Sequence, residues 1–186
     1  MTTMRARAIA FVATCAGLCL MASCAQTSMR QPSRENEGSK TAATFHLVRH
    51  AEKATMPADD PALNDAGQER ARGLATLLQA APPTAIYSTD YARTRSTAAP
   101  TAERYGRTID IYDARRPAAE FAKELRRRHV GGGDVVLVVG HSNTVPALAE
   151  ALCACSVAPM DEAEFDRHIV IRFDADGDVG IEQRRY

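Results

Sequence analysis

The chain has 186 residues, 45% of them hydrophobic and 25% charged, which is enough apolar material for one well-buried domain plus accessories and argues against both a two-domain enzyme and a wholly disordered chain. Lysine plus arginine and aspartate plus glutamate balance at 23 each, so no bulk field draws the molecule to nucleic acid or to an acidic surface, and function must reside in a local site. The densest basic run, Arg126-Arg127-Arg128, falls where a helix should end, and positive charge there offsets the helix dipole without any partner.

The chain opens with Arg5 and Arg7, an apolar stretch from Ala8 to Leu20, and small residues after it, which is the layout of an export signal. A permanent span needs about 20 strongly apolar residues, and this stretch is shorter and interrupted by Thr14 and Gly17. Met21-Ala22-Ser23-Cys24 resembles the bacterial lipoprotein box, which implies a signal over residues 1–23, lipid on Cys24 and a membrane anchor on the periplasmic face of the cell envelope. An ordinary soluble secreted or periplasmic protein is the alternative. Residues 24–43 are polar, carry Pro32 and Gly38 and show no periodicity, so a flexible tether is expected before a domain spanning 44–186. Cys15 and Cys19 leave with the signal, so Cys153 and Cys155 remain as a pair, either joined or as two thiols.

From Thr44 onward, short strand-like runs alternate with amphipathic helices, the pattern of an α/β fold built as a three-layer sandwich on a largely parallel sheet. Strands are expected at Thr44 to Val48, Ala85 to Ser88, Ile109 to Tyr112 and Val135 to Val139; the last is apolar on both faces and belongs at the sheet centre. Helical spacing marks four segments: Ala71, Leu74, Ala75, Leu78; Ala98, Thr101, Ala102, Tyr105; Ala118, Phe121, Ala122, Leu125; and Val145, Leu148, Ala149, Leu152. Asp65 with Gln68 reads as a capping box for the first, Asp90 precedes the second, and Pro117 and Pro146 suit first turns. Arg167 to Phe173 and Val179 to Gln183 flank an Asp176-Gly177 turn, an antiparallel hairpin at the C-terminal end. Asp174, Asp176 and Asp178 do not make a calcium loop, because Arg185 stands where the closing glutamate would be.

In such a sheet, ligands bind beyond the carboxyl ends of the strands, and those ends carry Arg49-His50, then Ser88 and Arg93, then Asp113, then Gly140-His141-Ser142-Asn143. Two guanidinium forks and two imidazoles suit phosphoryl transfer: arginine pairs two phosphate oxygens at once, and a neutral imidazole is a nucleophile near neutral pH. His141 also opens a helix, whose first-turn N–H groups favour anions.

Leu47-Val48-Arg49-His50-Ala51-Glu52-Lys53 resembles the Arg-His-Gly signature of the histidine phosphatase superfamily, with alanine in place of glycine. Leu63 to Gln68, Tyr87 to Ala98 and Val139 to Thr144 are similar to that family's first-helix entry, second-arginine and second-histidine segments, so the resemblance spans nearly all of Thr44 to Phe173. It implies a phosphoglycerate mutase-like fold and a phosphatase with His50 as nucleophile, Arg49, Arg93 and His141 around the phosphoryl, and Asn143 as a further phosphate contact. Arg95 is the rival to Arg93 but lies off the family position. The general acid stays open between Asp113, which follows a strand, Glu120 in a helix's first turn, and no dedicated residue at all, as in the short phosphohistidine phosphatases the chain also resembles.

Neither metal nor cofactor is expected. His46 and His50 sit about 13 Å apart on an extended strand, too far for one ion, and His46, His129 and His168 are read as structural. Gly131-Gly132-Gly133 follows a helix and opens a strand, so it is a turn rather than a phosphate cradle, and Ser142 lacks the second glycine of a nucleophile elbow. The expected partner is a phosphorylated small molecule or envelope component, with hydrolysis favoured over mutase chemistry because short strand-end loops leave little room for a lid. A phosphate- or phosphosugar-binding lipoprotein without turnover is the alternative.

Overall fold

A computed structural model describes residues 41–186; the expected signal, Cys24 and most of the tether lie outside them. Ten regular elements follow in order: β1 (Thr41–Arg49), α1 (Asp65–Leu77), β2 (Ala85–Thr89), α2 (Ala92–Tyr105), β3 (Ile109–Tyr112), α3 (Ala118–His129), β4 (Asp134–Gly140), α4 (Thr144–Cys153), β5 (Arg167–Asp174) and β6 (Val179–Arg185). They build one six-stranded sheet in the order β3-β2-β4-β1-β5-β6. β3, β2, β4 and β1 run parallel, and β5 and β6 are antiparallel to their neighbours, which is the expected α/β sandwich with its closing hairpin.

Alternation along the strands divides the core into two faces. Phe45, Leu47, Val136 and Val138 pack with Phe121, Leu125, Leu148 and Leu152 from α3 and α4. Val48, Leu137 and Val139 pack instead with Leu74, Leu78, Ala98 and Ala102, contributed by α1, the short 3₁₀ turn after it, and α2. β4 therefore buries both sets of side chains, as a continuous apolar strand must. Helices fall on opposite faces because the connections run outward from β1 to β3 and then reverse into β4, and right-handed crossovers in opposite directions land on opposite sides.

Three local expectations are corrected. The sheet begins at Thr41, inside the expected tether, because Ala42 and Ala43 are small and apolar enough to be buried and the Ala42 carbonyl accepts from the N–H groups of Gly131 and Gly133 at 3.1 and 2.8 Å. Positive φ at Gly131 and Gly133, 101° and 73°, lets that turn fold back. Helix α1 is capped by Asn64, whose side chain accepts from the Gly67 N–H at 2.9 Å, so Asp65 is a first-turn residue. Asp90 does not cap α2; the Asp60 carboxylate accepts from the Ala92 N–H at 2.9 and 3.1 Å. Cys153 and Cys155 form a disulfide.

Candidate functional site

β1 and β4 are neighbours whose outgoing connections leave to opposite faces of the sheet, so the crevice beyond their carboxyl ends is the topological switch point. Arg49 pairs with Gly140 in register, and the next residue on each strand is a histidine. Gly140 is required there: a Cβ would lie 2.8 Å from Thr144 Oγ1 and 2.9 Å from the Tyr112 hydroxyl. The two imidazoles meet with ring centroids 5.5 Å apart. They line one open pocket of about 390 Å³ together with Arg49, Arg93, Lys53, Tyr91, Arg115, Asn143 and Glu162.

His50 is held in a defined tautomer. Its main-chain N–H donates to the Gly140 carbonyl at 2.9 Å, and its Nδ1 lies 2.8 Å from the Ala51 carbonyl. A carbonyl only accepts, so Nδ1 carries the proton and Nε2 keeps its lone pair. The following loop is pinned by Thr97, whose hydroxyl accepts from the Ala51 N–H at 3.0 Å and donates to the Arg93 carbonyl at 2.8 Å. Burial lowers the His50 pKa to about 4, with Arg49, His141 and Arg93 pushing the same way and the Ala51 hydrogen bond opposing them. The imidazole is therefore neutral at pH 7.

His141 is fixed through a hydroxyl chain. Thr94 Oγ1 donates to the Thr89 and Tyr91 carbonyls and accepts from Thr89 Oγ1 at 2.9 Å, so Thr89 Oγ1 accepts from His141 Nε2, 2.9 Å away. Nδ1 remains as the nitrogen able to take up a proton. Burial, then Arg93 and Arg49, lower its pKa to about 4, and a dianion beside those guanidinium groups works in the opposite direction. The first-turn N–H groups of Thr144 and Val145 close on the His141 carbonyl at 3.2 and 3.0 Å, so α4 offers fewer free donors than its sequence suggests.

The two guanidinium groups are held differently. Arg49 Nη1 donates to the carbonyls of Asp161, Glu162 and Glu164 at 3.0, 2.8 and 3.2 Å, Nη2 donates to Glu162 Oε2 at 3.1 Å, and the group lies 4.2 Å from the centre of the Phe165 ring. Arg93 rests 4.4 Å from the centre of the Tyr91 ring with the Asp60 carboxylate at 3.6 Å. The buried Nε atoms of both have no hydrogen-bond partner among the described residues. Two fixed cations around a neutral imidazole are chemically suited to receive a phosphoryl dianion.

The remaining candidates separate cleanly. Asn143 lines the pocket. Asp113 does not: its carboxylate turns to Arg115, accepting from the main-chain N–H at 2.9 Å and the guanidinium at 3.2 Å, and Arg115 rather than Asp113 reaches the pocket. The immediate turn after β3 satisfies Asp113 locally before it can face the site. Glu120 is exposed on α3 outside the pocket, and Arg95 bonds Asp90 at the surface. His46, His129 and His168 lie buried away from the pocket, His46 Nδ1 and His168 Nε2 being 2.8 Å apart and His129 bridging Asp134 and Tyr87.

Sequence reasoning missed Glu162, Phe165, Tyr91 and Asp60. The signal for the first two lay in the direction of β5. Because β5 is antiparallel to β1, with His168 opposite Val48, the segment before it rather than after it arrives at the carboxyl ends of the parallel strands.

With fold and geometry established, residues 45–116 match the model of the histidine phosphatase superfamily (branch 1). Among solved structures, the chain is similar to the protein histidine phosphatase SixA complexed with tungstate (18% identity, TM-score 0.65, covering 76% of this chain and 96% of that one). It is also similar to mycobacterial glucosyl-3-phosphoglycerate phosphatase (16% identity, TM-score 0.58, 77% and 97%) and Bacillus stearothermophilus YhfR (20% identity, TM-score 0.56, 75% and 95%). No curated protein matches the chain by sequence. The fold is the phosphoglycerate mutase-like sandwich that these histidine phosphatase structures share.

Proposed function

We propose that the chain hydrolyses a phosphomonoester by ping-pong chemistry. His50 Nε2 attacks phosphorus while Arg49 and Arg93 hold the equatorial oxygens, and a protonated His141 stabilises the charge that develops. Water then opens the phosphohistidine and releases inorganic phosphate. The observation that carries this reading is the His50 tautomer: Nδ1 is committed to the Ala51 carbonyl, which leaves Nε2 free inside a pocket with two guanidinium groups. The similar SixA structure was solved with tungstate, a tetrahedral dianion of phosphate's shape. Rapid quenching during turnover of labelled p-nitrophenyl phosphate should trap acid-labile, alkali-stable phosphate on His50. A protein that binds phosphate but neither turns over that substrate nor acquires the label is instead a binding protein of the same fold.

The substrate we propose is a small phosphorylated molecule or a phosphorylated envelope component, met by a domain exported and anchored through lipid on Cys24. Labelled fatty acid should enter the full chain in bacteria and be lost in Cys24→Ala; equal labelling of both would remove the anchor.

A further inference from the structure

Glu162 supplies the one carboxylate among the described side chains lining the pocket. Ser142 Oγ donates to its Oε1 at 2.6 Å and Arg49 Nη2 to its Oε2 at 3.1 Å, so both oxygens are positioned. Its side chain is 84% exposed, whereas His50 is 4% exposed. A nucleophile at the pocket floor and in-line displacement send the leaving oxygen outward, to the level where Glu162 stands.

We propose that Glu162 is the general acid and base of the reaction, an assignment that rests on the phosphohistidine reading above. In the first step, His50 Nε2 forms the P–N bond, the ester P–O bond breaks, and the proton of the Glu162 carboxyl moves to the departing oxygen to give the alcohol. In the second, water adds to phosphorus, its proton passes to the Glu162 carboxylate, the P–N bond breaks and the electron pair returns to Nε2. Each turnover consumes one water and regenerates the carboxyl.

Loading of that proton follows from the charges around it. In the free pocket the Ser142 hydrogen bond, then Arg49 and His50, hold the Glu162 carboxyl below the usual carboxylate range, with Arg93, Lys53 and Arg115 also lining the space and Asp161 and Glu164 on its own segment. A phosphoryl dianion seated on Arg49 and Arg93 cancels their field and adds negative charge beside Glu162, which favours the protonated form. Substrate binding thus arms the acid. Asp113, turned toward Arg115, has no such route.

The test compares wild type with Glu162→Gln and Glu162→Asp on p-nitrophenyl phosphate, whose leaving group needs little protonation, and on phenyl and hexyl phosphates, whose leaving groups need it. Expected for Glu162→Gln is a loss of roughly 10²-fold or more in kcat/KM on the poor leaving groups, against less than about tenfold on p-nitrophenyl phosphate. It should also show a burst of p-nitrophenol, as phosphohistidine accumulates without its base, and lose the alkaline limb of the phenyl phosphate pH profile; Glu162→Asp should restore part of each. Equal losses on every substrate would mean that Glu162 only orients Arg49, and unchanged kinetics would remove it from the chemistry. Either result overturns the assignment while labelled His50 in wild type keeps the phosphohistidine reading intact; absence of that label overturns both.

Discussion

Lowering the pH from 7 to 5 should destabilise this fold by several kcal/mol, through histidines rather than carboxylates. His46, His50 and His168 are buried, and their pKa values fall to about 3, 4 and 4, desolvation being the largest cause in each. For His46 and His168 the cost has a visible origin: they satisfy one another through one nitrogen each, while His46 Nε2 and His168 Nδ1 have no partner among the described residues, and Arg172 and Arg184 repel added charge. A folded-state pKa below the unfolded value of about 6.5 means that between the two the unfolded chain binds more protons, so stability falls as pH drops through that window. Each of these three then costs close to 2 kcal/mol between pH 7 and pH 5, and the less deeply buried His141, also lowered to about 4, adds to them, so the sum is about 5 kcal/mol or more, a large part of an ordinary domain's stability. Urea unfolding at pH 7, 6 and 5 measures this, and carboxylates with depressed pKa values act only below that range. Replacing the pair, His46→Leu with His168→Leu, should remove about half of the slope or somewhat more, because both partners of the buried bond go together while His50 and His141 remain. A flat stability profile in the wild-type protein, or the same slope in the double variant, would refute the reasoning.

Three further outcomes follow from contacts at and near the site. Arg93→Ala should lower kcat/KM by roughly 10²- to 10³-fold through loss of two charge-assisted hydrogen bonds to the phosphoryl, whereas Arg95→Ala, which loses only a surface pair with Asp90, should change it less than about threefold; steady-state kinetics decide. Asp113→Asn should leave both the rate and its leaving-group dependence near wild type on the same substrates, since the carboxylate faces Arg115. Gly67→Ala should destabilise by about 2 kcal/mol or more in chemical unfolding, because its Cβ would stand 2.1 Å from the Glu52 carbonyl oxygen and main chain cannot yield as a flexible side chain does.

The parts of this molecule governed by periodicity and strand ends were legible in the sequence. Val135 to Val139 announced a strand buried on both faces and became the strand between β1 and β2, and the rule that sites lie past parallel strands pointed to Arg49, His50 and His141 before any geometry. Long-range partners left no such trace. Asp60 caps a helix that starts 32 residues later, and Asn64 displaced Asp65 at a cap by one position, a choice decided by local backbone geometry. Asp113 misled because facing a site requires both position and a free side chain, and the turn to Arg115 consumed the second. Glu162 was invisible because its segment has no periodicity and precedes its strand, and only the antiparallel sense of β5 brings it to the active edge.

In the proposed reaction that arrangement separates two tasks. The groups proposed to hold the phosphoryl are themselves fixed by main chain: Arg49 by three carbonyls, His50 by the Gly140 and Ala51 carbonyls. A lysine in place of Arg49 could not bond those carbonyls and still present a planar fork. The proposed leaving group would face side chains from three irregular segments instead, with Tyr91, Arg115 and Glu162 lining the pocket. Those segments can change composition without disturbing the strands beneath them, whereas any change that shifts the 161–164 carbonyls moves Arg49 as well. The rim segment bonded to Arg49 is therefore the one that carries the Glu162 carboxylate, so in the proposed reaction its proton and the grip on the phosphoryl are coupled through a single guanidinium.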